Sequence, residues 1–220
     1  MGIFGDLFDA VLTTANAPKV SLYELCKSGT PEQIEQWLRN PATFRESWMQ
    51  KNDSNSRTVL MFAASSNPYA TVIELLIRRG ANVNAHDMYG KTPLMYAAYN
   101  PNPAISIALL RAGAQAETQD NTHGMTALMY AASVNSNPAV VETLIRSLPR
   151  GVYSTDWDGR TPLMYAARDN TNPSVIRSLL KARSDTYAKD RNGWMPITYA
   201  RRRKQFPGLN DIINMLSHSI

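Results

Sequence analysis

The stretch TPLMYAAYNPNPAISIALLRAGA, residues 92–114, reads as two short helices and the turn between them. Thr92 followed by Pro93 opens the first helix. Threonine can accept from the early amides that a helix leaves free, and proline, which has no amide hydrogen, suits the first helical position. Asn102-Pro103 gives the same signal for a second helix, whose Ile105, Leu109 and Leu110 fall at helical spacing. Gly113-Ala114 then reads as a stop, because glycine takes the left-handed conformation that ends many helices.

The same phrase recurs on both sides. TVLMFAA from Thr58, TPLMYAA from Thr92, TALMYAA from Thr126, TPLMYAA from Thr161 and a degraded MPITYA from Met195 begin 34, 34, 35 and 34 residues apart. Second apolar clusters follow at Val72, Ile73, Leu75 and Leu76, at Val140, Val141, Leu144 and Ile145, and at Val175, Ile176, Leu179 and Leu180. Asn137-Pro138 and Asn172-Pro173 repeat the second start signal, and Gly80-Ala81 repeats the stop. Polar stretches such as NVNAHDMYGK and TYAKDRNGW, with Asp and Gly near their ends, have the composition of a tight hairpin-like turn leading to the next unit. Units of this length stack on their neighbours to bury a continuous core.

With T-P-L, an Ala-Ala pair, V-I-x-x-L-L, G-A and a closing D-x-x-G in register, residues 19–220 resemble the ankyrin-repeat family. The resemblance implies an all-α solenoid of stacked helix-turn-helix units joined by hairpin-like turns. Residues 19–56 would form an N-terminal cap, 57–90, 91–124, 125–159 and 160–193 the internal units, and 194–220 a C-terminal cap. Gln33 and Ser217 stand where internal units carry apolar residues, which suits the outer faces of caps. Two departures matter. Met61, Met95, Met129 and Met164 occupy the place of the family's histidine, so thioether packing must replace its tie to the turn. An Asn-Pro turn also replaces the usual Gly-His, wording that resembles bacterial ankyrin proteins more than animal ones.

Ile3, Phe4, Leu7, Phe8, Val11 and Leu12 lie outside the repeats, in an amphipathic segment over residues 1–18. It either folds over the first unit or serves as an anchor for a partner or a membrane surface. Residues 1–18 lack a basic start, so no signal peptide is read, and no apolar run reaches membrane-spanning length. The single cysteine, Cys26, allows neither an intrachain disulfide nor a cysteine zinc site, and a reducing, cytoplasmic setting is expected. A net charge of +5 and a pI near 9.4 are too modest to name a partner.

No catalytic, metal or cofactor site is expected. There is no phosphate-binding glycine loop and no H-E-x-x-H, and the histidines are His86, His123 and His218, too far along a stack to pair with Cys26. The recurring Phe62, Tyr96, Tyr130 and Tyr165 are read as core. Asp87, Asp120, Asp156 and Asp190 are read as binding their own turn amides.

The resemblance places function in the concave groove and turn tips, at positions that differ between units. The expected partner-binding residues are His86, Met88, Tyr89, Tyr99, Gln119, Asn121, His123, Trp157, Asp158, Arg160, Arg168, Lys189, Arg191 and Trp194, joined by Lys91, Asn100, Thr122, Thr155, Asp169 and Asn192. Exposed aromatics and arginine dominate binding energy when a partner covers them. Basic residues gather toward the C-terminal end and continue through Arg201, Arg202, Arg203 and Lys204. The expected ligand is another protein, acidic at that end, bound by a monomeric adaptor or inhibitor. Nucleic acid or an anionic surface, bound through the basic C-terminal end, is the alternative, with Trp194, Tyr199 and Phe206 as stacking platforms for the former.

Overall fold

Each threonine that opens a first helix accepts a bond from the amide three residues on, at 3.3 to 3.4 Å, from Met61, Met95, Met129 and Met164. In three units the methionine answers: its sulfur accepts the threonine amide at 3.4 Å in Met61 and Met164 and 3.5 Å in Met129. This is a capping box with a thioether in the glutamate's place. The expected packing role for these methionines is therefore joined by a hydrogen-bonding one. The sulfurs lie in side chains at most 1% exposed.

The computed structural model describes residues 22–39, 53–204 and 207–217. Among them are twelve α-helices in six pairs: α1 (Leu22–Ser28) and α2 (Pro31–Arg39), α3 (Val59–Ser66) and α4 (Ala70–Arg78), α5 (Pro93–Ala97) and α6 (Pro103–Arg111), α7 (Ala127–Val134) and α8 (Pro138–Ser147), α9 (Pro162–Asp169) and α10 (Pro173–Lys181), α11 (Pro196–Arg201) and α12 (Leu209–Ser217). The amphipathic reading of residues 1–18 falls outside the described residues. First helices pack on first helices and second on second along the whole stack. The Ala-Ala pairs, Ala63-Ala64, Ala97-Ala98, Ala131-Ala132 and Ala166-Ala167, are wholly buried, whereas the second helices bury Val, Ile and Leu. Small residues let neighbouring first helices approach closely.

Gly80 and Gly113, at φ +95° and +89°, end α4 and α6. There the amides of Ala81 and Ala114 reach back to the Leu76 and Leu109 carbonyls at 3.0 Å. Arg183 takes that position after α10 at φ +63°. After α8 no left-handed residue is used; the chain passes through Leu148 into a 3-10 turn, Pro149–Tyr153.

Two rows of asparagine tie unit to unit. Asn102, Asn137 and Asn172 cap their helices as expected, accepting from the amide two residues on at 2.9 to 3.0 Å. A deeper row was missed. Asn67, Asn100, Asn135 and Asn170 are at most 4% exposed, and each donates its amide to two carbonyls of the preceding unit. Asn100 is thus a buried tie and not the groove residue expected. In the last unit Arg203 takes over, reaching the carbonyls of Ala167, Asp169 and Asn170.

The turn aspartates carry a second load beyond their expected one. One oxygen of each accepts turn amides, as in Asp87 from Tyr89 and Lys91 at 2.8 Å. The other accepts a tyrosine hydroxyl from the following first helix: Tyr96 to Asp87 at 2.7 Å, Tyr130 to Asp120 at 2.6 Å, and Tyr165 to Asp156 and Tyr199 to Asp190 at 2.5 Å. Tyr130, Tyr165 and Tyr199 are core residues with a polar handle, and Tyr96 packs half-buried against that core. Burial and the neighbouring carboxylate push the hydroxyls of Tyr96, Tyr130 and Tyr165 well above the ordinary tyrosine value. At Asp120 burial works upward, but the turn amides and the Tyr130 hydroxyl outweigh it and hold the carboxyl below its usual range.

Three outcomes follow from this framework. Asn135→Ala strands two buried carbonyls and should cost about 2–3 kcal/mol in chemical denaturation, against about 1 kcal/mol for the cap change Asn137→Ala. Ser106, whose hydroxyl is buried without a partner, stands where other units carry Ile73, Val141 and Ile176. Ser106→Val should therefore raise the unfolding temperature, by roughly 1 kcal/mol in stability. Because Tyr96, Tyr130 and Tyr165 hold their protons in the fold while the unfolded chain releases them above about pH 10, stability falls as pH rises past that value. Part of the tyrosinate absorbance should then appear only together with loss of helix, and Tyr130→Phe should make the alkaline decline shallower.

Candidate interaction surface

A backbone ladder fixes the turn tips relative to one another. The amides of Met88, Asn121, Trp157 and Arg191 donate to the carbonyls of Asn55, Tyr89, His123 and Asp158 in the preceding turn, at 2.8 to 2.9 Å. Each donor follows its turn aspartate directly. Their backbones are thus spent on the stack while their side chains project outward. The tips also pack by shape: a Cβ on Gly124, at φ +74°, would come within 2.4 Å of Cδ1 of Trp157, so the indole lies against that glycine. Asn121 lies against Gly90 in the same way.

Several expected residues share this face. Met88, Tyr89, Tyr99 and Trp157 are 56, 41, 44 and 49% exposed, and Val134, the last residue of α7, is 50% exposed. His86, Asn121, His123, Lys189 and Arg191 are exposed on the same row of turns. Tyr99 meets Tyr130 at 5.9 Å between ring centroids, while Lys91 lies 4.6 Å over that second ring. Gln119 is exposed yet stitches two turns, donating to the Gly124 and Thr155 carbonyls at 2.6 and 2.9 Å.

Others are more deeply engaged than the sequence implied. Arg160 pairs with Asp158 at 2.7 Å and donates to the Tyr199 hydroxyl at 3.1 Å. Burial opposes its charge, but the Tyr199 and Tyr165 hydroxyls and Asp158 outweigh burial and keep it firmly protonated. Arg168 lies over the Tyr165 ring and is clamped to Asp169. Trp194 is half-buried, edge-on to Tyr199 at 5.4 Å, with Arg202 over its face at 4.0 Å. Tyr199, expected as a stacking platform, is 6% exposed and unavailable for one, and Phe206 lies outside the described residues.

Cys26 is buried, and burial pushes its thiol up to about 12, far from a reactive thiolate. Among the described residues there is no cluster of metal-ligating side chains and no helix long and apolar enough to cross a membrane. The signal for the missed inner asparagines was present in N-P-N-P, N-S-N-P and N-T-N-P, where two asparagines recur and only the second is a helix cap.

A family model described as ankyrin repeats, three copies, matches residues 22–120, 60–150, 100–190 and 128–219. No curated protein matches the chain. Among solved structures, it is similar to a chain in the complex of the predatory endopeptidase Bd0816 from Bdellovibrio bacteriovorus with immunity protein Bd3460. The TM-score is 0.70 at 22% identity, over 89% of this chain and 96% of that one. With every described helix inside the family match, the chain belongs to the ankyrin-repeat family.

Proposed function

We propose that this protein is an interaction module that seats a partner protein along its concave face and turn tips, acting as a monomeric adaptor or inhibitor. The observation that carries this reading is that Met88, Tyr89, Tyr99 and Trp157, on the turns and at the end of a first helix, are large and exposed. Side chains of this kind, held by a rigid ladder, lose little freedom when a partner covers them. His86, Gln119, Asn121, His123 and Asp158 supply the polar rim around them. The similar fold in an endopeptidase–immunity protein complex supports an inhibitor as one form of this role.

The partner is acidic where it meets the C-terminal units, because Lys189, Arg191, Arg201 and Lys204 are exposed there and make no ion pair among the described residues. Nucleic acid fits less well, since Trp194 and Tyr199, two of the three expected stacking platforms, are covered by the chain itself.

Replacing Tyr89 and Trp157 together with alanine should weaken capture of the partner from the source cell's extract by roughly tenfold or more, with the unfolding temperature nearly unchanged. A protein enriched by the wild type and lost with the variant names the partner. Nucleic acid retained equally by both, and released steeply as salt rises, would overturn the proposal in favour of charge-driven binding.

A further inference from the structure

Arg168 and Arg202 occupy the same place in successive units, three residues after Tyr165 and Tyr199. Both guanidinium groups lie over an aromatic ring, Arg168 at 4.6 Å from the Tyr165 centroid and Arg202 at 4.0 Å from that of Trp194. Their edges differ. Arg168 grips the neighbouring Asp169 through Nε and an Nη at 2.9 to 3.1 Å, and Asp169 accepts in addition from the Ser133 hydroxyl at 2.7 Å. Where Asp169 stands in that unit, the last one has Arg203, which turns inward to the carbonyls of the unit before. Arg202 is exposed, and among the described residues its side chain meets the Trp194 ring but no carboxylate.

A ring occupies the flat face of a guanidinium and leaves its edge donors available, in the fork geometry that matches a carboxylate. The ring beneath Arg202 is itself held. Trp194 donates its amide to Asp190 at 2.8 Å and stands edge-on to Tyr199, whose hydroxyl is bonded to Asp190 and Arg160. The fork is therefore already placed before anything binds. In the last two units Lys189, Arg191, Arg201 and Lys204 are also exposed, a basic excess that favours an anion.

We propose that the partner protein supplies to Arg202 the carboxylate that Asp169 supplies to Arg168: an Asp or Glu side chain on a segment crossing the C-terminal end of the concave face. This rests on the interaction reading above and names the residue that selects the partner at that end. The internal precedent is a carboxylate, which is why an acidic protein segment is favoured over a phosphate.

The test selects short random peptides on the immobilised full chain, then measures the winners against wild type, Arg202→Ala, Arg202→Lys and the Tyr89→Ala/Trp157→Ala pair. The expected winners carry Asp or Glu at one fixed position. Changing that residue to Asn or Gln should weaken wild-type binding roughly tenfold while leaving Arg202→Ala binding unaltered, the signature of a direct pair. Arg202→Lys should restore little, because an ammonium lacks the fork. Unchanged helix content in Arg202→Ala separates lost recognition from lost fold. Winners without a fixed acid, or displaced by excess inorganic phosphate whether or not the acid is present, overturn the assignment. If such winners are still lost with the Tyr89/Trp157 pair, the concave-face reading stands alone. If acid-dependent winners bind that pair as they bind wild type, the carboxylate assignment survives and the concave-face reading falls. A selection that yields no binder counts against both.

Discussion

One carboxylate per unit joins the turn to the helix that follows it, and the exposed surface depends on that joint. With one oxygen on the turn amides and the other on a tyrosine hydroxyl, Asp87, Asp120, Asp156 and Asp190 fix the angle at which each hairpin leaves the stack. A cation from the unit before closes some of these joints: Lys91 lies over the Tyr130 ring, and Arg160 bonds the Tyr199 hydroxyl. Charge-assisted bonds of this kind are worth about 1.5–3 kcal/mol each when buried. Each also ties one repeat's local geometry to its neighbour's, so the tips form a single rigid row.

Much of this was legible in the sequence, and the limits have physical causes. Period, helix starts, helix stops and the polar turns could be read because each rests on local chemistry within a few residues. The inner asparagine row could not be read that way, since its partners lie 33 to 41 residues away. Asn100 is the sharpest case. One residue, Tyr99, separates it from its Ala-Ala pair, whereas two separate Asn67, Asn135 and Asn170 from theirs. The five-residue α5 ends early and brings Asn100 to the buried position and Tyr99 to the open one.

The basic tail of the sequence divides in the same way. Arg201 to Lys204 look alike as letters, yet Arg203 completes the internal ladder, Arg202 covers an indole, and Arg201 and Lys204 face solvent. A run of like charges read as one basic end thus holds three different environments, which only the helix phase distinguishes. Trp194 follows from this: read as an open anchor, it is the platform on which another residue rests.

Helix caps built from sulfur have a chemical consequence of their own. Met61, Met129 and Met164 present to an amide the lone pairs that an oxidant would attack, and they lie in side chains with no accessible surface. Conversion to the sulfoxide would place a polar oxygen where the close-packed first helices meet. Peroxide can reach these sulfurs only when a unit opens, so the oxidation state of each methionine becomes a lasting trace of which part of the stack had come apart.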